Sequence, residues 1–220
     1  DFSKFRIILV DGTEYPLNNM SMMAKKTSAE YLKKMGVELK TKVLVKDYDG
    51  ETITFTTGEQ LPTRTVIWAA GVRGRLMDGI DESQVAPHGK RLIVNRINKL
   101  KDSENIFAIG DIAYMETPKY PRAHPQLANV AINQAKLLAE NLKNIEKGRK
   151  LKEFEYKDLG SMATIGTNKA VVDLPFVRFK GYIAWLVWMF LHLMLILSVK
   201  NKLIIFVNWA WAYITKDTSL

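Results

Sequence analysis

The sequence predicts an α/β fold with a small antiparallel β-meander and a helical C-terminal membrane anchor. Three observations carry that prediction. Two apolar runs, "RIILVDG" (6–12) and "NIFAIGD" (105–111), place an aspartate and a glycine together at their ends, as buried strands that deliver a carboxylate to a sheet edge do. Between them stand Asp49-Gly50 and Thr57-Gly58, two turn pairs at hairpin spacing. The last forty residues differ in kind: residues 181–199 carry no charged side chain, and four of the five tryptophans fall there or in 203–215.

Each element follows in order. The first strand covers 6–10 and begins almost at Asp1, as if the domain were cut; a fragment is expected. After the loop 13–19, apolar groups at Met20, Met23, Ala24, Tyr31, Leu32 and Met35 predict a helix, and Gly36 supplies its stop. "VELK" (37–40) resumes extended structure, and 42–62 forms the meander through its two glycine turns. "TVIWAAG" (65–71) is apolar throughout, which predicts a strand covered on both faces. Residues 71–90 are loop-rich, with glycines at 71, 74, 79 and 89; "RLIVN" (91–95) is a further strand. A helix over 128–142 shows the stripe Ala128, Ala131 or Ile132, Ala135, Leu138 or Ala139, and Leu142. The charged run "KNIEKGRKLKEFEYKD" (143–158) predicts a solvated connection.

Composition narrows the function. With 47% hydrophobic and 25% charged residues the chain builds a packed core. It has no cysteine, which excludes a disulfide framework, a thiolate metal site and dithiol redox chemistry. His88, His124 and His192 lie far apart without ligand spacing, so no metal site is expected. A net charge of +9 calls for an anionic partner, but the basic residues are spread without an aromatic-basic motif; this argues against nucleic acid and for an anionic bilayer.

Three strand ends are candidate sites. Asp111 either accepts hydrogen bonds from a cofactor's hydroxyls, with Gly110 clearing space beside it, or caps a helix that starts at Ile112. Asp11 either accepts from an adenosine ribose or belongs to a turn. The small residues of "WAAG" (68–71) permit either backbone approach to a flat ligand or a tight crossing of two strands.

The order of these motifs, joined to "HPQLANVAINQAKLLAENL", "GSMATIGTNKAVVDL" and the tryptophan-rich tail, resembles the C-terminal half of type II NADH dehydrogenase. That family is the single-subunit, non-proton-pumping NADH:quinone oxidoreductase carrying FAD. The resemblance covers essentially the whole chain and implies a partial two-dinucleotide-binding-domain (Rossmann-like FAD/NAD) fold. On that pattern 1–72 is the C-terminal part of the NADH-binding domain, 73–150 the return segment of the FAD-binding domain, and 151–220 the membrane-anchoring region. No G-x-G-x-x-G loop is present; both copies are expected upstream.

The resemblance also implies roles. Gly110 and Asp111 would meet the ribityl arm of FAD, and Leu127, Ala128 and Asn129 would open the helix under its ring. That helix terminus would favour the negative charge of the reduced flavin. Asp11, Ala70 and Gly71 would bind NADH, with Asp11 repelling a 2′-phosphate. Asn129 and Asn133 would form the quinone region, where many relatives carry glutamine. No side chain acts as a nucleophile or other catalytic group.

The tail admits three readings: a transmembrane span over 181–199, a core helix, or an in-plane anchor. His192 inside the stretch counts against the span. The resemblance favours the anchor, with Trp185, Trp188, Trp209 and Trp211 at headgroup depth and Lys180, Lys200, Lys202 and Lys216 facing anionic lipid. The protein implied is a peripheral, monotopic one on the cytoplasmic face of the cytoplasmic membrane. Its partner is a membrane quinone, and a homodimer is left open. The competing reading is a non-catalytic membrane-docking module derived from the same fold.

Overall fold

The computed structural model describes residues 5–196 and 198–215. The chain divides into two compact units, one formed by Asp1–Val66 with Leu159–Leu220 and the other by Ile67–Asp158.

In the discontinuous unit, β1 (Ile8–Asp11) pairs in parallel with β2 (Glu38–Thr41), Asp11 opposite Thr41. Between them runs α1 (Met22–Lys34), close to the predicted helix. The Ser21 side chain caps it by accepting from the Ala24 N–H, and Lys33 and Lys34 complement the negative end of the dipole. Gly36 leaves the helix at φ +83°. The meander forms as the turn pairs predict: β3 (Val45–Tyr48), β4 (Thr52–Phe55) and β5 (Gln60–Pro62) lie in that order. Asp49 stabilises the first turn by accepting from the N–H groups of Glu51 and Thr52. Val43, Ile53 and Phe55 form its core, with Val10 and Val66 packed against them.

The later part of this unit is a sheet in the order β10-β9-β8, built from β8 (Ser161–Gly166), β9 (Lys169–Asp173) and β10 (Arg178–Lys180). The central strand buries Ala170, Val171 and Val172 completely. At its end the Asp173 carboxylate accepts from both the backbone N–H and the hydroxyl of Ser21, so a side chain 152 residues away orders the start of α1.

Two helices close the chain. Tyr182–Leu195 forms α3, seated on β9 through the fully buried Ala184, and Val199–Thr215 forms α4. The span reading fails here: the helix breaks after Leu195, and no helix among the described residues is long and apolar enough to cross a membrane. Lys216 lies outside the described residues.

The continuous unit has a parallel pair, β6 (Leu92–Ile93) and β7 (Ala113–Tyr114), and a long helix α2 (Ala128–Glu146). Four expectations are corrected here. Residues 65–71 form no strand; among the described residues no backbone–backbone hydrogen bond joins 66–73, and Ile67 and Trp68 are 89% and 65% exposed. An apolar run becomes a strand only when neighbours take up its N–H and C=O groups. "NIFAIGD" likewise gives a single bridge at Phe107 and then a 3₁₀ turn, Gly110–Ile112, rather than a continuous strand.

The buried face of α2 is not the predicted stripe. It runs through Val130, Gln134 and Asn141, while Ile132 and Leu142 stand exposed. The helix is turned by its amides, because each satisfies backbone groups that would otherwise be buried unpaired. Asn141 donates to the Lys152 carbonyl at 2.8 Å and accepts from the Lys152 N–H at 2.9 Å. That bond helps fasten the charged run: 151–158 is a strap with Phe154 and Tyr156 buried in the core beside Leu92, Leu100 and Met115. Arg96 ties the strap through Glu153 at 2.7 Å, Glu155 and the Phe154 carbonyl.

Candidate functional site

The predicted flavin residues converge at one corner of the continuous unit. Gly110 takes φ +70°, a conformation strained for any residue with a Cβ, and a Cβ there would stand 3.3 Å from that of Ala131. Its N–H donates to Oε1 of Gln134 at 2.7 Å. The next carbonyl, that of Asp111, accepts from Nε2 of Gln126 at 3.0 Å. The turn is therefore sewn to α2 from both sides of the helix start, and the Asp111 carboxylate is exposed. The capping alternative fails: Asp111 sits inside a three-residue turn that ends at Ile112, and no longer helix begins there.

Leu127, in extended conformation, precedes Ala128, and no side chain caps α2. Among the described residues no side chain caps the first N–H groups of the helix, which makes the terminus a receptive place for negative charge. Arg91 holds the approach to this helix. Its guanidinium donates to the Ala113 carbonyl at 3.1 Å and to the His124 carbonyl at 3.0 Å. Burial lowers the Arg91 pKa from its ordinary value, and the charge of Asp111 opposes that shift. Asn129 directs its amide to the buried Tyr156 hydroxyl, whereas Asn133 is exposed.

The predicted nicotinamide-cofactor residues fall in different units. Asp11 closes a turn, with Oδ1 accepting from the N–H and the hydroxyl of Thr13, both at 2.7 Å. Ala70 and Gly71 are exposed, and nothing lies within 4 Å of where a Gly71 Cβ would be. The close backbone crossing is at Gly74 instead, where a Cβ would meet the Lys90 carbonyl oxygen. Gln134, Gln126 and Gly74 escaped the sequence reading. Gln134 alone left a trace, as a polar residue one helical turn from Val130.

The tail residues divide. Trp185 is half-buried, stacked on Tyr182 at 6.0 Å and near Tyr213 at 5.5 Å, and it packs on the β9 cluster, so it serves the core more than a surface. Trp188 stacks on the His192 ring at 4.0 Å, and His192 Nδ1 stands 2.8 Å from the Trp188 carbonyl oxygen. Trp209 lies 6.4 Å from Trp188, and Trp211 is exposed. Lys180 donates to the Thr27 hydroxyl; Lys200 is exposed and Lys202 half-buried. Around them Ile183, Phe190, Leu195, Phe206 and Ile214 present apolar side chains to the outside. Among the described residues no cluster of histidine and carboxylate side chains could hold a metal.

A parallel pair ending in aspartate, and a glycine-aspartate turn bound to a helix start, are features of the α/β class in which ligands sit beyond strand ends. Comparison makes this specific. The family model for pyridine nucleotide-disulphide oxidoreductases matches residues 2–135, and that for the NDH2 C-terminal domain matches 159–216. The chain belongs to the pyridine nucleotide-disulphide oxidoreductases, in their type II NADH dehydrogenase branch. It is 31% identical to the type II NADH:quinone oxidoreductase Ndh of Mycobacterium tuberculosis, over 98% of this chain and 47% of the relative. It is also 31% identical to the type II NADH:quinone oxidoreductase of Staphylococcus saprophyticus, over 77% of this chain and 42% of the relative. A structure of NDH2 from Plasmodium falciparum in complex with NADH superposes with a TM-score of 0.85 at 18% identity, covering 96% of this chain and 59% of that one, which speaks for the fold. The chain thus spans about half the length of the curated relatives it matches.

Proposed function

We propose that this chain is the C-terminal part of an FAD-dependent NADH:quinone oxidoreductase that docks peripherally on the cytoplasmic face of a membrane. One observation supports it most: the Gly110–Asp111 turn, held by Gln134 and Gln126 against an uncapped helix start. The exposed carboxylate is suited to accept from the hydroxyls of a sugar-alcohol chain, and Gly110 leaves room for that chain to pass. The N–H groups that open α2 are suited to the electron-rich edge of a flavin ring. FAD, when bound, supplies the redox chemistry, taking hydride from NADH and releasing two electrons to quinone. Asp11 is assigned to the NADH ribose, Ala70 and Gly71 to the nicotinamide side, and Asn129 with Asn133 to the quinone region.

The outward apolar side chains of α3 and α4, with Lys200 beside them, support an in-plane anchor on anionic lipid. The test is the intact gene product, purified from membranes together with any coding sequence upstream of Asp1. Bound FAD and NADH-dependent quinone reduction are expected, and Asp111→Ala should lower flavin occupancy. A flavin-free product that still binds vesicles would replace the enzyme by a docking module.

A further inference from the structure

His124 is a buried titratable group with no part in the proposed chemistry. Its side chain is 1% exposed, and among the described residues neither ring nitrogen has a hydrogen-bond partner. Aromatic rings enclose it: Tyr120 at 4.5 Å, Phe154 edge-on at 5.1 Å and Tyr156 at 6.3 Å. The backbone is held separately. Its N–H donates to the Met115 carbonyl, its carbonyl accepts from Arg91, and the preceding Ala123 is left-handed at φ +66°. What histidine brings to this box that an aromatic hydrocarbon does not is a pair of ring nitrogens, and with them a site for a proton.

We propose that His124 is a titratable positioning residue. As the neutral ring it locks the 151–158 strap and the corner that leads into α2 onto the core; as the cation it leaves the aromatic box and frees both. The inference stands on the geometry of this unit and not on the cofactor assignment. Every element around the ring contributes charge. Glu155 on the strap favours the cation; Arg91 and Arg96 disfavour it, and burial outweighs them all, so the ring's pKa lies below the ordinary 6.5. Tyr120 and Tyr156 remain neutral phenols, their pKa values raised chiefly by burial.

The sign follows from linkage. A base whose folded pKa is depressed contributes its full stabilisation above its unfolded pKa and loses it as pH falls toward the folded value. Below about pH 6.5 the equilibrium constant for opening the corner should rise about tenfold per pH unit, until the folded pKa is reached. The experiment follows the three histidine ring signals by NMR across pH 7.5 to 4.5. Hydrogen exchange of residues 124–134, corrected for intrinsic rate, is measured alongside. The expected result is that His124 titrates below the ordinary 6.5 and that exchange at the start of α2 steepens with acid. In His124→Phe the steepening should disappear. A His124 signal that titrates at or above the ordinary 6.5 overturns the proposal, as does acid-steepened exchange that persists in the variant. The wild-type titration decides the matter even if the variant fails to fold.

Discussion

Replacing Gln134 by methionine isolates the bond that shapes the candidate flavin corner. Methionine is close to glutamine in volume and keeps the helix, so packing changes little. What is lost is the acceptor for the Gly110 N–H, at 2.7 Å in the native fold. A fully buried donor left unpaired costs about 1–3 kcal/mol. The bond is only partly buried, so the lower half of that range applies, about 1.5 kcal/mol. At 1.4 kcal/mol per decade, local opening of the 110–112 turn should become about tenfold more frequent. Amide exchange of Gly110 to Ala113 reads this directly, with Asn133→Met, at an exposed position one residue away, as the control. An exchange rate changed by less than about twofold would refute the idea that this side chain holds the turn. So would an equal effect in the control.

Two further perturbations test the discontinuous unit. Asp173→Ala removes both acceptors from Ser21 and should cost roughly 2–3 kcal/mol, with α1 fraying first; a far-UV circular dichroism melt checks this, and Asp173→Asn should fall between. Phe206→Ser combined with Trp211→Ser should weaken partition onto anionic vesicles at least tenfold, at about 1.5–3 kcal/mol per buried side chain, without moving the melt; Trp185→Ser should lower the melt instead.

The sequence made the local elements legible where the signal was itself local. Asp49-Gly50 and Thr57-Gly58 marked their hairpins because each glycine takes the positive φ that a tight connection needs. The helix before Gly36 was legible from its apolar spacing and from that glycine; the Ser21 cap was not read. What failed were judgements of context. "TVIWAAG" has a strand's composition, but a strand is defined by the neighbours that take its hydrogen bonds, and residues 66–73 have none of these among the described residues. The α2 stripe was read from apolarity, yet Gln134 and Asn141 set the helix rotation because unpaired backbone groups opposite them fixed where amides had to lie. The strap looked solvated because Lys and Glu outnumber Phe154 and Tyr156, although those two rings decide its position. Of the site, the Gly110–Asp111 turn and the start of α2 were legible; the glutamines that join them were not.

The clamp between Ser21 and Asp173 has a consequence for biosynthesis. The chain emerges from the ribosome N-terminus first, and domains fold as units when their residues become available. Residues 67–158 form a contiguous unit and can close as soon as they are released. Residues 1–66 must wait, since the strand that covers α1, and whose Asp173 binds Ser21, is made about 150 residues later. Until then α1 has a serine cap without its carboxylate, and its buried face, Ala24, Thr27 and Ser28, has no β9 to cover it. Within this stretch the contiguous segment 67–158 is therefore available to fold before the segment that precedes it, which waits for residues 159–220. A stop codon placed just before Asp173 would leave the early part of the chain without its fastening, however perfectly the middle had folded.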